Sequence, residues 1–134
     1  MANEHYTQNN GQQLYDFIAE YTQPLKGETA FYMGNVVKYL CRYNRKGQAQ
    51  SDLAKALDYM QQLDNVLQSQ RRPQAPYIPS KLEITDFTTT NTLTEQNVLT
   101  LTLQALHIYA FKSSLNYALL IEKNIKKLQK MVDK

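Results

Sequence analysis

Gly34 to Leu63 reads GNVVKYLCRYNRKGQAQSDLAKALDYMQQL, and this stretch decides the fold. It predicts two helices hinged at Lys46-Gly47. At about 100° per residue, Val36, Leu40 and Tyr43, flanked by Tyr32, Met33 and Tyr39, fall on a core-facing side of the first helix. Asn35, Lys38, Arg42 and Arg45 form one column on the other side, because spacings of three and four stack side chains. The row admits two readings. Positive charge near a helix C-terminus complements the macrodipole on an ordinary solvated face. Alternatively the guanidinium forks, with Asn35 as a neutral donor, form an anion site.

The second helix is expected to open at Ser51 as N-cap, with Asp52 at the positive end of the dipole. Leu53, Ala56, Leu57, Met60, Leu63 and Leu67 recur at helical spacing as its buried stripe. Asp52, Lys55 and Tyr59 border that stripe in a column of their own. Facing Asn35, Lys38 and Arg42, this column would close a polar cleft of acid, base, amide and phenol. A plain interhelix salt bridge, Asp52 with Arg42 or Lys38, explains the same residues without a ligand.

These residues, in this order, resemble a known signature. His5-Tyr6, then Gly34-Asn35-x-x-Lys38-Tyr39-x-x-Arg42, Lys46-Gly47, and Asp52-Leu53-x-Lys55-Ala56-x-x-Tyr59-x-x-x-Leu63 are similar to the SaV-like family of bacteriophage proteins, over roughly residues 5–67. The resemblance implies a small phage early protein, acting in the cytoplasm of the infected bacterium. Some relatives are described as nucleoside monophosphate kinases, and the family name refers to phage sensitivity to a bacterial abortive-infection system. It also implies a shared site at His5, Asn35, Lys38, Arg42, Asp52, Lys55 and Tyr59. Within it, Asp52, Lys55 and His5 are candidates for catalysis. Asn35, Lys38, Arg42, Arg45, Tyr59 and Tyr6 are candidates for holding phosphate or nucleotide.

The rest of the chain sets limits. At 134 residues and 43% hydrophobic it can bury one core, or one core with a helical appendage. A net charge of +3 is too mild for a dedicated polybasic binder. The single cysteine, Cys41, precludes an internal disulfide and offers no metal pattern. Without an apolar run of membrane length or a signal-peptide core, a soluble protein is expected. The ten tyrosines, in a chain without tryptophan, suit interfaces and base stacking alike.

Three helices, beginning near Gln12, Thr29 and Ser51, are predicted to make an N-terminal module over residues 1–70. The first carries Leu14, Phe17, Ile18 and Tyr21 on its apolar face and stops before Pro24. RRPQAPYIP, from Arg71 to Pro79, opens an extended linker that runs to about residue 92, since three prolines remove donors and fix φ. Residues 93–134 read as an αα-hairpin. Thr92 with Glu95 fits a capping box, and Leu99, Leu103, Leu106 and Ala110 follow at helical spacing, against a rival period-two alternation over Leu99, Leu101 and Leu103. The second arm carries Tyr117, Ile121, Ile125, Leu128 and Val132 on one face and Lys123, Lys126, Lys127 and Lys130 on the others. A lone His107 predicts a packed or solvent-tipped side chain rather than chemistry.

The expected fold is all-α: three helices, a Pro-rich linker and a hairpin. Two amphipathic helices cannot cover both their faces alone, so they should pack on the first module, on a symmetry mate or on another protein; a homo-oligomer, most simply a dimer, is expected, with Leu106, Tyr117, Ile121, Ile125 and Leu128 at its interface. There is no G-x-x-x-x-G-K-[ST], so phosphoryl transfer would not use a Walker loop, and no cofactor is required beyond Mg²⁺ carried in on a nucleotide. Two functions follow: a nucleotide site, in which positioning and charge neutralisation do the catalytic work, or an interaction protein engaging a host or defence protein or nucleic acid. Under the nucleotide reading, Arg42→Ala is expected to remove binding and leave the fold intact.

Overall fold

In a computed structural model, the described residues are 14–23, 25–43, 48–67, 84, 87, 88, 90, 92–111 and 115–132. They form α1 (Leu14–Thr22), α2 (Gly27–Arg42), α3 (Ala49–Leu67), α4 (Leu93–Phe111) and α5 (Leu115–Val132), an all-α arrangement with no strand among the described residues. The expected sites at His5, Tyr6 and Arg45, the hinge at Lys46-Gly47, and the prolines of Arg71 to Pro79 lie outside the described residues.

Each helix follows from its apolar spacing. Leu14, Phe17 and Tyr21 bury one side of α1. Gly27 opens α2 with φ of 57°, a left-handed conformation that costs a side-chain-bearing residue about 1–2 kcal/mol. About two turns into α2, Gly34 keeps α1 and α2 close: a Cβ there would meet Ile18 Cγ2 at 3.3 Å. On α3, Leu53, Ala56, Met60, Leu63 and Leu67 are buried as expected. Its start differs from expectation. The helix begins at Ala49, so Ser51 lies inside the first turn and is no cap, and the Asp52 N–H already donates to Gln48 O at 2.9 Å.

The period-two alternative for α4 fails in the expected way. Leu99 and Leu103 are fully buried, whereas Leu101 between them is 61% exposed. Thr92 Oγ1 caps the helix, accepting from Glu95 N–H at 3.1 Å. The reciprocal half of the capping box is absent, because the Glu95 carboxylate turns away to accept from the Tyr43 hydroxyl.

The two predicted modules share one core, and the hairpin is no appendage. α2 packs along α3, α3 along α5, and α5 along α4. Phenols fasten the seam between the first three helices and the hairpin. The Tyr21 hydroxyl donates to Leu103 O, Tyr43 to Glu95 and Tyr109 to Asp64. Gln50 Nε2 reaches Gln129 O at 2.7 Å, joining the first turn of α3 to the last turns of α5. His107 is fully buried, edge-on to Tyr21 at 5.0 Å and 79°. Burial lowers its pKa to about 4, so the ring is neutral at pH 7.

This packing corrects the expected oligomer interface. Leu106, Ile121, Ile125 and Leu128 are 0% exposed within the single chain, covered by its own helices, and Tyr117 is half-buried. The hairpin found its cover in cis, and those four side chains have no surface left for a second copy. Charges placed at Ile121 or Ile125 would therefore disrupt the fold itself.

Candidate functional site: an aromatic tier under three cations

The α2–α3 pair brings together most of the residues that the sequence singled out. Arg42, in the last turn of α2, is 9% exposed at its side chain and faces Asp52, in the first turn of α3, which is 0% exposed. Arg42 Nε stands 3.4 Å from Asp52 Oδ2. Neither carboxylate oxygen of Asp52 accepts a hydrogen bond among the described residues, so the guanidinium supplies its compensating charge. The salt-bridge reading of these two residues is thus the geometry that the fold adopts. Asp52 has no surface from which to act on a ligand, and Arg42 is committed inward. The expectation that Arg42→Ala spares the fold is corrected accordingly, since it strands a buried carboxylate.

The remaining cations gather over one ring. Lys38 Nζ lies 5.1 Å, Arg42 Cζ 4.9 Å and Lys55 Nζ 5.5 Å from the centroid of Tyr39. Each such contact contributes about 0.5–1 kcal/mol at a partly solvated site. Neither Lys38 nor Lys55 has an ion-pair partner among the described residues, so the cluster carries more positive charge than Asp52 offsets.

Tyr39 rests on an aromatic tier. Tyr59 lies parallel to it, with centroids 6.0 Å apart and planes 11° apart. Phe31 meets Tyr59 edge-on at 6.0 Å, and Tyr32 is 6.3 Å from Tyr59. Phe31 is 58% exposed, while Tyr32, Tyr39 and Tyr59 are half-buried. Asn35 sits beside this tier but spends one amide hydrogen on Phe31 O, four residues back, at 2.8 Å.

Sequence reasoning put Tyr39 and Tyr32 with the core and passed over Phe31. Phe31 could have been found, because positions 31, 35, 38 and 42 continue one column at spacings of four, three and four. Tyr39 is harder to place. It lies on the flank where an apolar face turns polar, and only packing against α3 decides which way such a flank faces.

A family model described as a protein of unknown function (DUF3310) matches residues 2–61. The match is short of half the chain. It spans α1, α2 and most of α3, and so includes Phe31, Lys38, Tyr39, Arg42, Asp52, Lys55 and Tyr59, whereas α4 and α5 lie beyond it. No curated protein matches the chain, and no solved structure does.

Among the described residues, no cluster of three or more His, Cys, Asp or Glu could hold a metal ion, and no helix is long and apolar enough to cross a membrane.

Proposed function

We propose that the solvent-facing edge of the α2–α3 pair binds a nucleotide. Lys38 and Lys55 take the phosphate oxygens and the Tyr59 ring lies against the base. The observation that carries this reading is the pair of lysines, without a carboxylate partner among the described residues, held over stacked aromatic rings. Arg42 contributes field rather than direct contact, because Asp52 holds it. Any Mg²⁺ would arrive on the nucleotide phosphates.

The resemblance to the SaV-like phage proteins points the same way, toward a phage early protein at work in the bacterial cytoplasm, and its kinase-like members make phosphoryl transfer the reaction to assay first. The described geometry supports binding more directly than turnover. Asp52, the acid that the sequence offered, is buried against Arg42.

The test is a thermal-shift panel of nucleoside mono- and triphosphates, with and without Mg²⁺, on the wild type and on Lys38→Gln/Lys55→Gln. A nucleotide at about a hundred times its Kd stabilises by about 2.7 kcal/mol. A shift that the double variant loses supports the site. No shift with any nucleotide overturns it.

The alternative, a partner-binding protein, rests on a different observation. Leu93, Leu101, Leu119 and Leu120 on the hairpin are 75%, 61%, 59% and 42% exposed. Light scattering on the wild type and on Leu101→Lys/Leu119→Lys decides whether that surface makes an oligomer. A monomer in both removes the self-association form of this reading.

A further inference from the structure

We infer that the ligand of the α2–α3 edge is a single-stranded nucleic acid rather than a free nucleotide. This inference rests on the nucleotide reading of the same edge and extends it. One nucleotide occupies one base-stacking ring and one phosphate site. Tyr59 and the two lysines over Tyr39 provide those, and the tier continues past them.

Phe31 meets Tyr59 edge-on, with centroids 6.0 Å apart and planes 80° apart, and is 58% exposed. Tyr59 thus stands 6.0 Å from both Tyr39 and Phe31, with the cations over Tyr39. Bases stacked within a duplex repeat at about 3.4 Å. Rings nearly twice as far apart suit an extended strand whose successive bases are splayed, one on Tyr59 and the next on Phe31, while Lys38 and Lys55 hold the backbone. An exposed phenylalanine on an otherwise polar column has no role in packing the core, and it has one in stacking a second base. Stacking on rings tolerates any base, so the site should show little sequence preference.

Fluorescence anisotropy with labelled eight-residue oligothymidylate and oligouridylate, and with a duplex of the same length, tests this beside the thermal shift with thymidine monophosphate. The single strands are expected to bind at least about tenfold more tightly than the mononucleotide, and more tightly than the duplex. Whichever of the two strands binds better identifies DNA or RNA as the source. Phe31→Ala should weaken the oligomer about fivefold to a hundredfold, as the loss of one stacked base does, and leave the mononucleotide shift in place. Lys55→Gln should lower the slope of log affinity against log salt by about 0.7, one single-strand phosphate contact. Phe31 and Lys55 are exposed, so both variants should keep the fold, and circular dichroism checks that they do. If the mononucleotide shifts stability but oligomers bind no more tightly, or Phe31→Ala leaves oligomer affinity unchanged, the inference fails and the nucleotide site stands. If the duplex binds as tightly as the strand, it also fails. If no ligand binds, both fail together.

Discussion

Two interfaces in this molecule handle buried polarity in opposite ways. Between α2 and α3 it is ionic: Arg42 against Asp52, with Lys38 and Lys55 added at the rim around Tyr39. Between those helices and the hairpin it is carried by phenols and a neutral imidazole. Tyr43 donates to Glu95, Tyr109 to Asp64 and Tyr21 to a backbone carbonyl, with His107 packed alongside. The second arrangement closes on itself. Burial first, then the hydrogen bond and charge of Glu95, raise the Tyr43 pKa, so that this phenol stays a donor throughout the accessible pH range. The first arrangement leaves positive charge over at its solvent edge. A surplus that the fold does not consume is what a ligand can use, and so the proposed function falls at the first interface and cohesion at the second.

The largest test of this contrast removes one charge. Asp52→Ala leaves the buried Arg42 guanidinium without the Asp52 carboxylate and should cost about 3–5 kcal/mol in denaturant unfolding. Arg42→Met with Asp52→Leu should recover most of that loss, because an apolar pair fills the space without uncompensated charge. A cost below about 1 kcal/mol for Asp52→Ala would erase the distinction between the interfaces. Next comes acid. The His107 imidazole titrates near 6.5 when unfolded and near about 4 when folded, so between these values the unfolded chain takes up a proton that the folded chain refuses. Stability is fully present above about pH 6.5 and falls by about 3 kcal/mol on descending to about pH 4. Unfolding measured across that window should be flatter in His107→Gln. Tyr43→Phe strips Glu95, 3% exposed, of its phenol donor and should cost about 1–3 kcal/mol. The smallest effect belongs to the α1–α2 crossing. Gly34→Ala gains about 1 kcal/mol of helix propensity. It loses a comparable amount as Ile18 yields to a contact at 3.3 Å, so the midpoint should barely move.

Much of this was legible in the residues alone. The buried stripes of α1, α3 and α4 and the meeting of Lys38, Arg42, Asp52 and Lys55 follow from spacings of three, four and seven. Direction was not legible. The same column that offers Arg42 to a ligand offers it to Asp52, and only the closeness of two helix ends decides between them. Nor could the pattern show what covers the hairpin. Leu106, Ile121, Ile125 and Leu128 are apolar whether they meet their own chain or another, and here they meet their own. Glu95 shows how a tertiary partner overrides a local motif: spacing sends its carboxylate back to Thr92, yet Tyr43 draws it away.

The single core also bears on inheritance. The stretch that matches a known family ends at residue 61, inside α3 and before its last turns, while Leu63 and Leu67 in those turns are buried in the core that α4 and α5 help to build. The matched residues thus stop short of the core that they help to build, and α4 and α5 supply the rest of it.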